Sequence, residues 1–548
     1  MLARIAVSLL VALIGASCIN LAAAPPPTAD DSRQNPAPRP EPPRARADAS
    51  VPEPSGHEVR VPAGGNLQAA LDAAKPGDII TLQAGATYGA VSLPRKSGQE
   101  WITIRGSVAE PSGLRQGRVT PADAAHMPKI VATSDAAITT TPGAHHYRFQ
   151  RIEIRPQDDR FVYNLVELGN RETSPEAVPH HFIFDRCYVH GDPRRGGRRG
   201  IALNSASTAI VGSYLSDFKE EGSDSQAIAG WNGPGPFLIE DNYIEAAGEN
   251  LMFGGADPSI GGLVPSDIEI RGNRFSKKLA WKSGDPSYAG VAWSVKNLFE
   301  LKNARRVVIE RNTFEFNWAA SQTGFAILFT VRNQDGSAPW STVEDVTFAG
   351  NVVRHVGSGV NVLGHDSDHP SADTKRISIR DNLFYDVDGK RWGGSGTFLQ
   401  VLAGVSDLVV EHNTVAQTGS VVVADGAPPN RGFVFRDNIV WHNAYGISGS
   451  DAGVGDKAID HYFPGAVVTK NAFIGPWPSA GGATTSMYSR SGRNFFPDSA
   501  EKAGLMGAQT EDYRLVEASR LRSAASDGRD LGAPSEVLER ARDARSTP

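Results

Sequence analysis

The sequence predicts an all-β solenoid, a single parallel β-helix, from three observations. First, one phrase recurs down the chain: apolar, any, apolar, two residues, Asn, any residue, then an apolar or aromatic residue. It reads FLIEDNYI at 237–244, IEIRGNRF at 268–275, VVIERNTF at 307–314, VTFAGNVV at 346–353, ISIRDNLF at 377–384, LVVEHNTV at 408–415 and FVFRDNIV at 433–440, with a shorter VVTKNAF at 467–473. Second, the repeated residues Asn242, Asn273, Asn312, Asn351, Asn382, Asn413, Asn438 and Asn471 lie 25 to 39 positions apart, a period that marks a stacked, quasi-one-dimensional fold. Third, the intervals hold short period-two strands and Gly, Asp or Asn turns, with no amphipathic helix between them. The strands of one coil therefore stack on those of the next.

A tight turn leaves backbone groups unpaired, and burying them so is costly. A short amide can bond that backbone and stack on the Asn one coil away. Degenerate copies put Cys187 at the Asn position in 180–189, Ser213 in 209–215 and Ile152 in 145–154, which gives about eleven coils.

In chain order, residues 1–24 read as a secretory signal: one Arg, then an apolar stretch too short to span a membrane. The alternative is a lipoprotein anchored at Cys18, after Gly15-Ala16-Ser17. Residues 25–56 contain ten prolines and are expected to be a disordered linker. Cys187 is then the only cysteine of the folded part, so an intrachain disulfide is excluded, and it reads as a buried member of the stack. Asn66 is placed to cap a short helix whose apolar face is Leu67, Ala70, Leu71 and Ala74. Pro76-Gly77-Asp78 stops it, and Ile79–Leu82 is expected to be the first strand. Such a helix would cover the open end of the solenoid. Coils are assigned to 57–480, and 481–548 to a C-terminal cap and tail, since FFPDSAEKAG and the residues after it break the period.

Composition agrees. The 548 residues would suggest several compact domains, but a solenoid grows in length rather than radius. The 57 glycines suit a fold made of turns, and a net charge of −6 without a basic run gives no nucleic-acid footprint.

The opening NLQAALDAAKPGD at 66–78, followed by Asn-bearing coils, resembles the right-handed β-helix of the pectate-lyase-like superfamily. Its start is most similar to the group that holds chondroitinase B and alginate lyases, and to secreted right-handed parallel β-helix repeat proteins. The resemblance implies a right-handed solenoid with an N-terminal α-helical cap and a substrate lying along one sheet between bulging loops. Lyases, hydrolases, epimerases and noncatalytic surface proteins share the superfamily, so fold alone does not choose among them.

The site is expected in the middle third, where the gaps 273–312 and 312–351 are longest and FGGADPSIGGLVPSD interrupts 253–267. If Phe299 and Leu301 point inward, Lys296, Glu300 and Lys302 share the outer face. Lys302-Asn303 and Arg332-Asn333 end successive strands alike, about 5 Å apart. Two neighbouring cations suit an anionic sugar polymer: one neutralises a uronate carboxylate, and a Lys beside an Arg is pushed toward its basic form. The resemblance implies Lys302, or else Lys296, as base and Arg332 as partner, although the lyase group's Arg-His-Gly segment is absent. It also implies Ca²⁺ as a cofactor of some members, with Asp257 and Asp366 as candidate ligands here. Glu249 and Glu300 could join Asp257 and Asp366 in that site, or an acid–base pair for hydrolysis could come from among these four acids.

Glu249, Asn250, Gln322, Asn333, Asn361 and His365 are the candidate substrate contacts. Trp231, Trp281, Trp293, Trp318 and Trp340 suit sugar stacking or loop packing equally. His365–His369 reads as a solvated turn, and His180-His181, repeating His145-His146 one coil on, as structural. The sequence thus points to a secreted or periplasmic monomer acting on an acidic polysaccharide by β-elimination. The alternatives are a noncatalytic glycan- or surface-binding protein, a polysaccharide hydrolase or epimerase on the same fold, and a structural solenoid without chemistry.

Overall fold

The computed structural model describes residues 38–50, 54–107, 117–475, 487, 488 and 493–543. The expected signal segment and Cys18 lie outside the described residues. Three long sheets run the length of the molecule, and the chain visits them in turn. Sheet 1 has fourteen strands, from Glu58–Val61 to Val467–Thr469; sheet 2 has thirteen, from Thr87–Gly89 to Ala472–Ile474; sheet 3 has thirteen, from Val91–Leu93 to Gly453–Val454. Neighbours are parallel and one coil apart, as where Ile239 lies opposite Ile270 and Ile270 opposite Ile309. The last pair of sheet 3 is antiparallel. This is a parallel β-helix. It has two coils more than the Asn phrase indicates, because 79–93 and 102–140 form coils without it.

The Asn side chains bond as the turn requires. Asn273 Nδ2 donates to Ile239 O, and its Oδ1 accepts from the backbone N–H of Asn242, at 2.8 and 2.9 Å. The pattern repeats to Asn471 and then to Asn494, which the sequence reading missed because its strand is too short to show the phrase. Ser213 and Cys187 continue the column toward the N-terminus: the Cys187 N–H donates to Ser213 Oγ, and burial pushes the Cys187 thiol up to about 12. The residue before each member has a left-handed backbone, for example Asp241 (φ 53°), Arg311 (φ 57°) and His412 (φ 52°). One strained residue per turn lets three strands fold into a closed coil. Inside, phenylalanines stack in file, as Phe275 on Phe314 at 4.5 Å.

The expected helix is present at Leu67–Ala73, with the Asn66 side chain accepting from Ala69 N–H. Leu67 and Leu71 are buried in the main core. Gln68 exchanges two hydrogen bonds with the backbone of Ser92, on the end strand of sheet 3. One strand precedes the expected first: Glu58–Val61 pairs with Ile79–Leu82.

The described parts of the two boundary segments both lie against the solenoid. Residues 38–50, read as linker, lie on the outside of sheet 1. Ala47 packs among Ile183, Ala209 and Leu238, and the N–H groups of Glu41 and Arg44 donate to Asp345 and Asp267. Extended proline-rich chain has free backbone donors, and the corner carboxylates accept them. The described part of the C-terminal segment begins on the last coil, where Tyr488 is buried in the main core against Phe473, Phe495 bridges Ala472 and Phe496 stacks on Phe473. Helix Asp456–Tyr462 puts Ile459 and Tyr462 into the core at the last coil. The later residues double back over sheet 2, where Leu521 and Leu531 meet Ile439, and helix Ser535–Asp543 meets Val352 and Leu383 through Val537 and Ala541. The uncovered apolar side chains of sheet 2 explain that course. Among the described residues, no helix is long and apolar enough to cross a membrane.

Candidate functional site

The outer face of sheet 3 carries the predicted cluster. Phe299 and Leu301 point into the core, so Glu300 faces outward. Register sets Met252, Glu300, Leu328, Asn361 and Gln400 in one file across successive coils. At about 4.8 Å per strand, Met252 to Asn361 covers about 14 Å.

Four charges gather at the upstream part of this file. Glu249 lies 3.6 Å from Lys296, and Glu300 lies 3.8 Å from Lys302. Lys296 is also held by Asp224 at 2.6 Å. Burial alone would lower the Lys296 pKa, but Glu249 and Asp224 outweigh it and raise the value, so Lys296 stays a cation. Glu249 is fully buried, and the desolvation, together with the charges of Glu300 and Asp224, raises its pKa. Gln226, opposite it in register, donates to Glu249 Oε2 at 2.8 Å. Glu300 accepts from Asn297 at 3.0 Å and Thr330 at 3.2 Å, and Asn297 also donates to Gln322. Among the described residues, two buried side-chain oxygens on this face have no hydrogen-bond partner, Asn297 Oδ1 and Asn361 Oδ1, and Glu249 Oε1 has only the Lys296 ammonium at 3.6 Å. Native proteins rarely leave such atoms unpaired, and a ligand's hydroxyls would satisfy them.

The other predicted residues divide. Arg332 follows Lys302 by one coil, its N–H donating to Lys302 O at 2.9 Å. Its guanidinium, however, is engaged by Asp366 at 2.6 Å, in the 365–369 turn. Asn333 serves the same turn: its N–H donates to Asp366 and its amide to Pro370 O. Asn250 is a corner bolt, donating to Ile244 O and Ser276 O and accepting from Lys277. His365 is half-buried on the same turn as Asp366. The residues do not fit a Ca²⁺ site at Asp257 and Asp366. One Asp257 oxygen accepts from the N–H groups of Asp335 and Ser337, and both Asp366 oxygens bond Arg332 and Asn333. Neither aspartate joins a group of three or more potential ligands among the described residues, whereas Ca²⁺ takes six to eight oxygens. Trp281 and Trp318 are buried together under the loops, so loop packing accounts for them.

Sequence reasoning missed Gln226, Asp224, Asn297 and Thr330. Aligning each sheet 3 strand on the next would have set Gln226 opposite Glu249. It also missed the upstream patch, where Arg199 lies over Tyr163 and Trp231 at 5.3 and 5.2 Å and donates to Gln226.

Beside the cluster, Lys277 is buried in the corner between sheets 2 and 3, and Nζ donates to Ala246 O, Ala247 O, Gly248 O and Asn250 Oδ1. Burial lowers its pKa to about 7, against the pull of Glu249 and Glu245. Unfolded, the group titrates near 10.4, so from about pH 7 to about 10 the unfolded chain carries a proton that the folded one lacks. Stability then rises with pH across that window. The stability lead of the wild type over Lys277→Met is expected to widen between pH 7 and pH 9 in denaturant melts. A constant lead would mean that the four acceptors keep the ammonium charged.

No protein-family model matches this chain, and no curated protein matches it. Among solved structures, it is similar to the PL6 family alginate lyase AlyGC, at 14% identity, covering 88% of this chain and 57% of that one, with a TM-score of 0.48. It is similar to the catalytic unit of a thermostable GH87 α-1,3-glucanase from Streptomyces thermodiastaticus strain HF3-3, at 14% identity, 78% and 70% coverage and a TM-score of 0.47. The Dettilon tailspike protein gp208 follows at 13% identity, 77% and 62% coverage and a TM-score of 0.38. This chain spans about three fifths of the tailspike and of the alginate lyase. At these identities the likeness concerns fold alone.

Proposed function

We propose that this protein is carbohydrate-active, that it works outside the cytoplasm on an acidic, uronate-containing polysaccharide, and that it cleaves the chain by β-elimination on the outer face of sheet 3. The observation that supports this most is the gathering of Glu249, Lys296, Glu300 and Lys302 from two successive coils beside unpaired buried oxygens. Lys296, held charged by Asp224, neutralises the uronate carboxylate. Lys302 is the base that takes the C5 proton; the C5–H electron pair forms the C4–C5 double bond as the C4–O bond breaks. Glu249, whose raised pKa favours the acid, gives its proton to the leaving oxygen. Glu300 orients Lys302. No step needs Arg332, whose charge Asp366 already offsets.

A second reading, hydrolysis with Glu249 as acid and Glu300 as base, is favoured by the same raised pKa, since both glycosidase routes need two carboxyl groups. Either way the upstream Arg199–Tyr163–Trp231 patch is the place for a further sugar.

Affinity electrophoresis tests the substrate class. Gels containing alginate or pectate are expected to retard the protein, and gels containing a neutral glucan are not. Arg199→Ala should weaken the retardation. Equal migration in all gels would refute the acidic-polysaccharide reading.

A further inference from the structure

We propose that His145, His146, His180 and His181 form a binding site for one borderline divalent transition-metal ion of the zinc, copper or nickel kind, at the start of two adjoining strands of sheet 1. Ligand nitrogens of His146, His180 and His181 all lie within 4.8 Å of one another, and His145 Nδ1 is 2.8 Å from His146 Nδ1.

The backbone builds this cluster deliberately. Consecutive residues of a strand point to opposite faces. Here the second residue of each pair is left-handed, His146 at φ 60° and His181 at φ 58°, which swings both rings to one side. His180 Nδ1 and His181 Nδ1 then sit 2.7 Å apart. Because His145 lies opposite His180 in register, the rings stack in two columns: His145 on His180 at 4.9 Å, and His146 on His181 at 4.4 Å.

The turn does not itself require histidine. In later coils the same left-handed position is held by Ser207, Asp267, Arg306, Asp345, Arg376 and Asp407. There the acids and arginines pair across coils, as Arg306 with Asp267 and Arg376 with Asp345. Imidazole at both residues of both coils is therefore a choice made by these two coils alone.

The four rings are half-buried, so an ion has access. Trp101 packs edge-on against His146 at 5.1 Å and His181 at 6.3 Å, fixing the rings from one side. Zinc–nitrogen bonds of about 2.0–2.1 Å set tetrahedral ligand nitrogens about 3.3 Å apart. Each Nδ1 pair would thus open by roughly half an ångström, which ring rotation supplies. A donor set of nitrogen without carboxylate selects zinc, copper or nickel and rejects calcium and magnesium. Arg95 is the charged group that acts on His145 and His180, so affinity rests on the imidazoles and not on charge neutralisation.

The full chain, freed of metal with a chelator and dialysed, is titrated with Co²⁺ and then Zn²⁺ while visible absorption is read. One equivalent of Co²⁺ should develop ligand-field bands that Zn²⁺ bleaches, and Zn²⁺ should raise the melting temperature. The His146→Asn/His181→Asn variant keeps residues that tolerate a left-handed backbone, so it should fold as the wild type does while losing at least 100-fold in affinity. The control variant His365→Ala/His369→Ala should bind as the wild type does. Unchanged binding in the His146→Asn/His181→Asn variant, or no bands in the wild type, would overturn the proposal.

Discussion

Lys302→Ala is expected to abolish turnover, by at least a thousandfold, while leaving the melting temperature within a degree or two of the wild type. The reasoning is geometric. Lys302 sits just past its strand, held only loosely to Glu300 at 3.8 Å, with its Cβ beside Gly254, where an added Cβ would meet it at 2.8 Å. Removing it breaks no tight contact but deletes the proposed base. General base catalysis is worth about 10²–10⁴-fold. Lys296→Ala should instead weaken substrate binding, and it should also destabilise, because Glu249 would remain buried with less compensation. Arg332→Ala, by the same logic, should cost stability of the 365–369 turn more than it costs turnover, since Asp366 loses its ion pair with Arg332 at 2.6 Å.

Asn312→Leu is expected to destabilise the solenoid by about 2–5 kcal/mol, because each buried polar group left unpaired costs about 1–3 kcal/mol. The amide of Asn312 donates to Ile270 O at 2.9 Å and accepts from Asn273 N–H at 2.8 Å, and both partners would be orphaned. Leucine keeps the number and branching of the side-chain heavy atoms, so no cavity opens and the lost hydrogen bonds carry the effect. In a stacked fold each coil contacts mainly its neighbours. Hydrogen exchange should therefore rise first in the strands next to residue 312, such as Val307–Ile309 and Val346–Phe348, with little change at Phe435 or Phe473. Chemical denaturation and exchange mapped by mass spectrometry measure the two effects. Uniform exchange along the molecule would show that the coils unfold as one unit.

The architecture was legible in the sequence because one buried requirement repeats. Every corner between sheets 1 and 2 needs its backbone satisfied, and Asn meets that need visibly at 242 through 471. The corners of the first two coils use no such residue, so there the sequence showed only the strand Ile79–Leu82 after the Pro76-Gly77-Asp78 stop. The outward direction of Glu300 followed from simple alternation about Phe299 and Leu301.

What alternation does not give is distance between coils. The pairing of Lys296 with Asp224 and Glu249 joins a long loop to two strands, and no local pattern announces it. Arg332 shows the converse. Its position one coil after Lys302 was correct, but the direction of its guanidinium depends on the 365–369 turn, which the sequence presented only as polar. The histidine pairs at 145–146 and 180–181 were visible as a repeat. That both rings of a pair face the same way depends on a left-handed backbone at residues where sequence favours none. The course of residues 38–50 and of the C-terminal segment is likewise tertiary, set by apolar and acidic patches on the outside of sheets 1 and 2.

The most direct test of the account is a single incubation of the purified full chain with alginate, pectate and chondroitin sulfate, in which reducing ends and the ultraviolet absorbance of unsaturated uronate are followed together. The account predicts that both rise in step on at least one of these polymers, and that both vanish in Lys302→Ala. Reducing ends without absorbance would contradict β-elimination and make Glu249 and Glu300 a hydrolytic pair, and silence on all three polymers would remove catalysis on uronate chains from this face of sheet 3.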